Sequence, residues 1–172
     1  MPAAAVAGAA AATAAYLRMV EAPDAVLSAA AGTALALAEA FCGQLLVARA
    51  CEDRVAASGG WQRLAALPVR SIESVGGLAI GDYAIDIDPG GIGWVRVAVP
   101  VAGGRVTVGY TAGLAAGWEA MPEPVRQGVV LLATHLFEHR EGGTAPPAAV
   151  AALWRPYRRM RLLPERHGEA AA

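Results

Sequence analysis

Residues 58–113 are broken at short, regular intervals by Gly, Pro and Asp, and no interval between breaks is long enough for a helix of ordinary length. The intervals are rich in residues that favour strands. Residues 61–64, 69–75, 82–87, 93–99 and 105–110 therefore read as short strands, with a weaker candidate at 46–55, where Arg49, Glu52, Asp53 and Arg54 dilute the pattern. Tyr83, Ile85 and Ile87 alternate with Ala84 and Asp86, and Trp94 through Val99 alternate in the same way. Asp88-Pro89-Gly90-Gly91 is a strong turn between these two, and Ala102-Gly103-Gly104 is expected to close a further hairpin.

Helical periodicity flanks this region on both sides. Asp24 is a good N-cap for a helix over 24–45, in which Val26, Leu27, Ala30, Ala34, Leu37, Ala38, Phe41 and Leu45 recur at three- and four-residue spacing. Small residues line much of the remainder. Such a smooth helix fits either an ordinary core or a subunit–subunit surface. Pro122 opens a second helix with Val125, Val129, Leu132, Ala133 and Leu136 on one stripe, Arg140 in its last turn and Gly142-Gly143 at its end. Pro146-Pro147 starts a final short helix through Leu153, broken at Pro156.

The fold class that follows is α+β: a small helical bundle with an inserted antiparallel β-rich middle and an extended C-terminal arm. Residues 1–15 read as a low-complexity leader, poorly ordered or a frayed helix, 16–152 as the main domain, and 153–172 as a basic, aromatic arm.

Composition narrows the function. The positive mean hydropathy rests on alanine, and a net charge of −1 does not make the whole molecule a trap for nucleic acid. All 14 basic residues are arginine, as high-GC codon usage would give. Cys42 and Cys51 have no metal-site or redox spacing, which fits a reducing compartment. The amino terminus lacks the basic region of a signal peptide, and the apolar runs are diluted by alanine. The expected location is the cytoplasm, with no membrane partner.

Chemistry is sparse. His135-Leu136-Phe137-Glu138-His139 spells H-x-x-E-H, in which two histidines one turn apart would hold zinc and Glu138 would serve as general base. A third protein ligand is needed, and only Glu141, Glu165 and Glu169 follow. A zinc-dependent peptidase thus stays an alternative without its structural context, beside the plainer reading of two histidines ending a partly buried helix. Asp82, Asp86 and Asp88 lack calcium-loop spacing, and no glycine pattern matches a nucleotide loop. No enzyme, metal or cofactor is expected.

The arm combines Trp154, Arg155, Tyr157, Arg158, Arg159, Met160, Arg161, Leu162, Leu163 and Arg166. Solvated basic tails rarely carry such aromatic and aliphatic residues, so it reads as a docking segment. Phosphate contacts would make a DNA-binding accessory protein the other alternative.

A set of ordered motifs gives a family resemblance. Tyr16-Leu17-Arg18 stands ahead of the alanine-rich helix, followed by Pro68-Val69-Arg70-Ser71-Ile72-Glu73-Ser74-Val75, then Tyr110-Thr111-Ala112-Gly113. Phe137-Glu138-His139-Arg140-Glu141 and Leu153-Trp154-Arg155-Pro156-Tyr157-Arg158 complete the series. The chain resembles the head–tail connector (adaptor) proteins of tailed phages and gene transfer agents over residues 16–162, with Phe137 where tyrosine is common. The resemblance implies a structural subunit of a ring, expected to hold twelve copies. That ring would bridge the portal protein to a downstream stopper or tail protein and pass DNA through its lumen without sequence specificity. It implies assembly in the cytoplasm and residence in the particle neck. Trp154, Arg155, Tyr157, Arg158, Arg159 and Arg161 become the expected portal-binding residues, and removal of 153–172 is expected to leave a folded subunit.

Overall fold

The computed structural model describes residues 1–139 and 144–159. There are two apolar cores, one in a helical bundle and one in a small β-sandwich. Helix α1 (Ala3–Tyr16), α2 (Ala25–Cys42), α3 (Glu123–Glu138) and α4 (Ala148–Trp154) form the bundle, and a 3-10 turn (Arg155–Tyr157) follows α4. Strands β1 (Arg49–Ala56), β2 (Gln62–Arg63), β3 (Val69–Val75), β4 (Tyr83–Ile87), β5 (Gly93–Val97) and β6 (Arg105–Ala112) build two antiparallel three-stranded sheets, ordered β1-β6-β3 and β2-β5-β4. The architecture is the expected α+β one.

The leader is where the expectation and the fold differ most. Residues 3–16 form a full helix with Ala5, Ala9, Ala10, Thr13 and Ala14 buried. Alanine on every side hides any helical period, yet it has the highest helix propensity and permits very close approach. Gly8 shows how close: a Cβ there would sit 2.8 Å from the Trp118 ring. Thr13, fully buried, returns its hydroxyl to the Ala9 carbonyl at 2.8 Å.

Asp24 caps α2 as expected, its Oδ1 accepting from the Leu27 N–H at 2.7 Å. The helix ends at Cys42 and not at residue 45, because Gly43 adopts φ +65° and turns the chain. The buried stripe is Leu27, Ala31, Ala34, Leu35, Ala38 and Cys42. Val26 and Leu37 lie outside it, 44% and 46% exposed, because they project away from the line of Ala31, Leu35 and Cys42. With a mean hydropathy of 1.7 over 18 residues, α2 has the length and composition of a membrane span, but this inner face packs against α1 and α3.

In the sandwich, Val55, Val106, Val108 and Tyr110 of one sheet meet Leu64, Val95 and Val97 of the other. The Asp88–Gly91 turn closes the β4–β5 hairpin, with Asp88 Oδ1 accepting from the Ile92 N–H at 2.9 Å. The expected hairpin at 102–104 is absent. The turn itself exists, with Gly104 N–H on the Val101 carbonyl at 2.9 Å, but it carries the chain from one sheet to the other. Strand β6 pairs instead with β1 and β3, which lie far away in sequence. Tyr110 ties β6 to β1 and to the loop between β2 and β3: its hydroxyl donates to Asp53 Oδ2 at 2.9 Å and accepts from the Ala66 N–H at 3.0 Å. Burial, and then the neighbouring Asp53, push its phenol far above the usual range.

Bundle and sandwich are joined by a short zipper. Leu114 and Ala115 donate to the Leu45 and Leu46 carbonyls, and Ala48 N–H returns to Ala115. Glu39 of α2 receives the Arg49 guanidinium of β1 in a two-pronged contact, both distances 2.8 Å, and also the Leu46 N–H at 2.9 Å. Burial pulls the Glu39 carboxyl upward, but Arg49 and that N–H outweigh it and hold the group below its ordinary value.

Candidate functional site

The arginine-aromatic segment starts inside the bundle. Trp154 is 3% exposed, packs on Phe41 with ring centroids 5.8 Å apart, and donates its indole N–H to the Val125 carbonyl at 3.2 Å. It is therefore a core anchor and offers no face to a partner. Gly128 makes room for it: a Cβ at that position would lie 2.8 Å from the indole Cε2. For the same reason, loss of residues 153–172 would open the bundle core, which corrects the expectation that this truncation leaves an intact subunit.

From Trp154 onward the chain is strapped to the end of α2. Gln44 Nε2 donates to the Tyr157 carbonyl at 2.6 Å, and the Arg159 N–H donates to the Cys42 carbonyl at 2.7 Å. The last helical turn of α2 has carbonyls with no partner within the helix, and the arm supplies a donor to one of them. Gly43 serves both the positive φ and the approach of Arg159, whose carbonyl oxygen would lie 2.6 Å from a Cβ there. Arg158 places its guanidinium carbon 5.7 Å from the Phe41 ring centroid. Arg155, Arg158 and Arg159 are exposed, Tyr157 is half-buried, and none of the three arginines makes an ion pair among the described residues. Arg161, like Arg140, Glu141, Met160, Leu162, Leu163 and Arg166, lies outside the described residues.

The H-x-x-E-H histidines are engaged elsewhere. Their rings stack with centroids 4.6 Å apart. His135 Nε2 faces the Thr144 carbonyl at 3.1 Å and His139 Nδ1 faces the His135 carbonyl at 3.1 Å. A ring nitrogen on a carbonyl oxygen carries the proton, so only His135 Nδ1 and His139 Nε2 keep a lone pair, and a metal there would still need a third protein ligand. His139 has also left helical geometry, at φ −110° and ψ 53°, and among the described residues no three His, Cys, Asp or Glu side chains converge. The two histidines finish the helix.

A second exposed surface was not legible as such in the sequence. On the outer face of β2-β5-β4, Arg96 lies 5.3 Å from the Trp61 ring centroid, and Trp61, Asp86 and Trp94 line a cleft of about 290 Å³. The signal was the alternation of Trp94 and Arg96 with buried valines.

Three solved structures resemble the whole chain. The neck of an empty GTA particle with C6 symmetry is 26% identical, covering 95% of this chain and 96% of that one, with a TM-score of 0.75. The neck of a native GTA particle with C12 symmetry is 28% identical over 92% and 94%, with a TM-score of 0.70. The virion of a native gene transfer agent particle is 27% identical over 95% and 94%, with a TM-score of 0.71. This likeness supports a head–tail connector, or neck, protein family for the chain. No family model matches the chain, and neither does any curated protein. Those neighbours are parts of a particle neck, which supports a structural neck role for this chain.

Proposed function

We propose that this connector is the adaptor subunit of a ring, expected to hold twelve copies, that joins the portal to the tail side of a gene transfer agent or phage particle. DNA would pass through the ring's lumen without sequence recognition. The similarity to neck structures of six- and twelve-fold symmetry over almost the full chain carries the reading. Arg155, Tyr157, Arg158, Arg159 and Arg161 form the portal-docking element, with Trp154 holding it to the bundle. Its donors suit carboxylates or main-chain carbonyls on a partner groove. A downstream stopper or tail protein would meet another surface of the ring.

Co-purification with the portal tests the docking element. Arg155→Glu, Arg158→Glu and Arg159→Glu together should abolish co-purification while circular dichroism remains that of the parent. Undiminished capture of the portal by a folded triple variant would refute the assignment.

A further inference from the structure

Helix α2 carries two apolar stripes. Opposite the buried one run Val26, Ala29, Thr33, Ala36, Leu37 and Ala40, all exposed and spaced three and four apart. Nothing on this outer stripe is charged. The only charged residue within the helix is Glu39, and it is committed to Arg49. A wet helix of 18 residues ordinarily carries charges on its outer side. Val26 and Leu37 stand about 16 Å apart along the axis, given a rise of about 1.5 Å per residue.

The bundle offers a matching recess on its other side. Helices α1, α2 and α3 pack against one another in a triangle, and in such a bundle the groove between two helices opens away from the third. The α1–α3 groove, about 310 Å³, is lined by Ala12, Tyr16, Trp118, Gln127, Val130 and the mutually paired Glu123 and Arg126, with no residue from α2. Tyr16 is 53% exposed at its mouth. A ridge on one side and a recess on the far side are what a head-to-tail ring requires, since each copy must show its two neighbours different, complementary surfaces.

Resting on the ring reading above, we propose that the outer stripe of α2 in one copy seats in the α1–α3 groove of the next copy. The occupant is a second copy of this chain and not a lipid surface. A bilayer would use the ridge alone and leave the groove without a purpose. The small residues let the helices approach closely, while Leu37 and Val26 fill the recess beside Trp118 and Val130.

Disulfide trapping in assembled particles tests the contact. Leu37→Cys and Gln127→Cys are combined in a Cys51→Ser chain. Cys42 stays, because it is fully buried and burial and then Glu39 push its thiol up to about 11, which keeps it from oxidising. The double variant should give a ladder of linked multimers on oxidation, and neither single variant should. An intact neck ring seen by electron microscopy with no ladder would overturn this contact and leave the ring reading standing. A neck with no ring of this chain would overturn both. Leu37→Glu provides the second arm: the folded monomer should melt as the parent does, yet be lost from particles. If purified parent chain instead co-sediments with phosphatidylethanolamine–phosphatidylglycerol vesicles and Leu37→Glu stops it, α2 is a lipid-binding face and the proposal fails.

Discussion

The indole N–H of Trp154 donates to the carbonyl of Val125 at 3.2 Å, so the segment that opens the arginine-rich arm is fixed to the first turn of α3. That bond depends on the missing side chain of Gly128, beneath the same ring. Gly128→Ala should therefore cost about 1–3 kcal/mol through overpacking, even though alanine is the better helix former. Trp154→Ala should cost about 3–5 kcal/mol as a large core truncation. Thermal unfolding of the double variant should show less than the sum of the two, because both substitutions act on one contact. Strict additivity would mean the ring does not press on Gly128.

The Glu39–Arg49 pair should make stability depend on pH. Glu39 titrates below its unfolded value, so its contribution is fully present above about pH 4.3 and fades as pH falls through the folded value. Both side chains are mostly shielded, 13% and 29% exposed, and Glu39→Gln should cost about 1–2 kcal/mol at pH 7. In melting curves the gap between parent and variant should narrow as pH falls below about 4.3. A gap that stays constant until acid unfolds the parent would contradict the pairing.

Tyr110→Phe removes one hydroxyl that serves two partners, Asp53 and the Ala66 N–H. Loss should cost about 1–3 kcal/mol, since a part-buried donor is left without an acceptor. Chemical denaturation of the two proteins measures it, and a change within experimental error would show that water replaces the phenol.

Helix α1 is tested by two substitutions that a disordered leader would treat alike. Ala9 is fully buried, whereas Ala11 is exposed. Ala9→Leu should destabilise by about 1–3 kcal/mol from overpacking, while Ala11→Leu should change stability by no more than about 0.5 kcal/mol. Equal melting temperatures for the two would argue that residues 3–16 do not join the bundle.

Legibility in the sequence followed the range of the interactions. The range 69–75 matches β3 residue for residue, and the Asp24 cap and the Asp88–Gly91 turn stand where local chemistry puts them. Partners of β6 were hidden, because β1 and β3 reach it by long-range pairing within one sheet and not by a neighbouring turn. Alanine helices were the other blind spot. In α1 every side looks the same on a hydropathy scale, and in α2 the outer and inner stripes merge into one periodic signal that includes Val26 and Leu37 with Leu27 and Ala34. The docking segment was visible as a composition, but which of its aromatics faces inward was set by Gly128 and Phe41, distant in the chain.

The strap from the Arg159 N–H to the Cys42 carbonyl has a mechanical corollary. Tension applied to the chain beyond Arg159 enters the protein at the carboxyl end of α2 and, through Trp154, at the start of α3. A tug on the terminus is thus felt by the same helix whose far side is free to touch a neighbour, and engagement at one end of the subunit can tighten its seating beside the next.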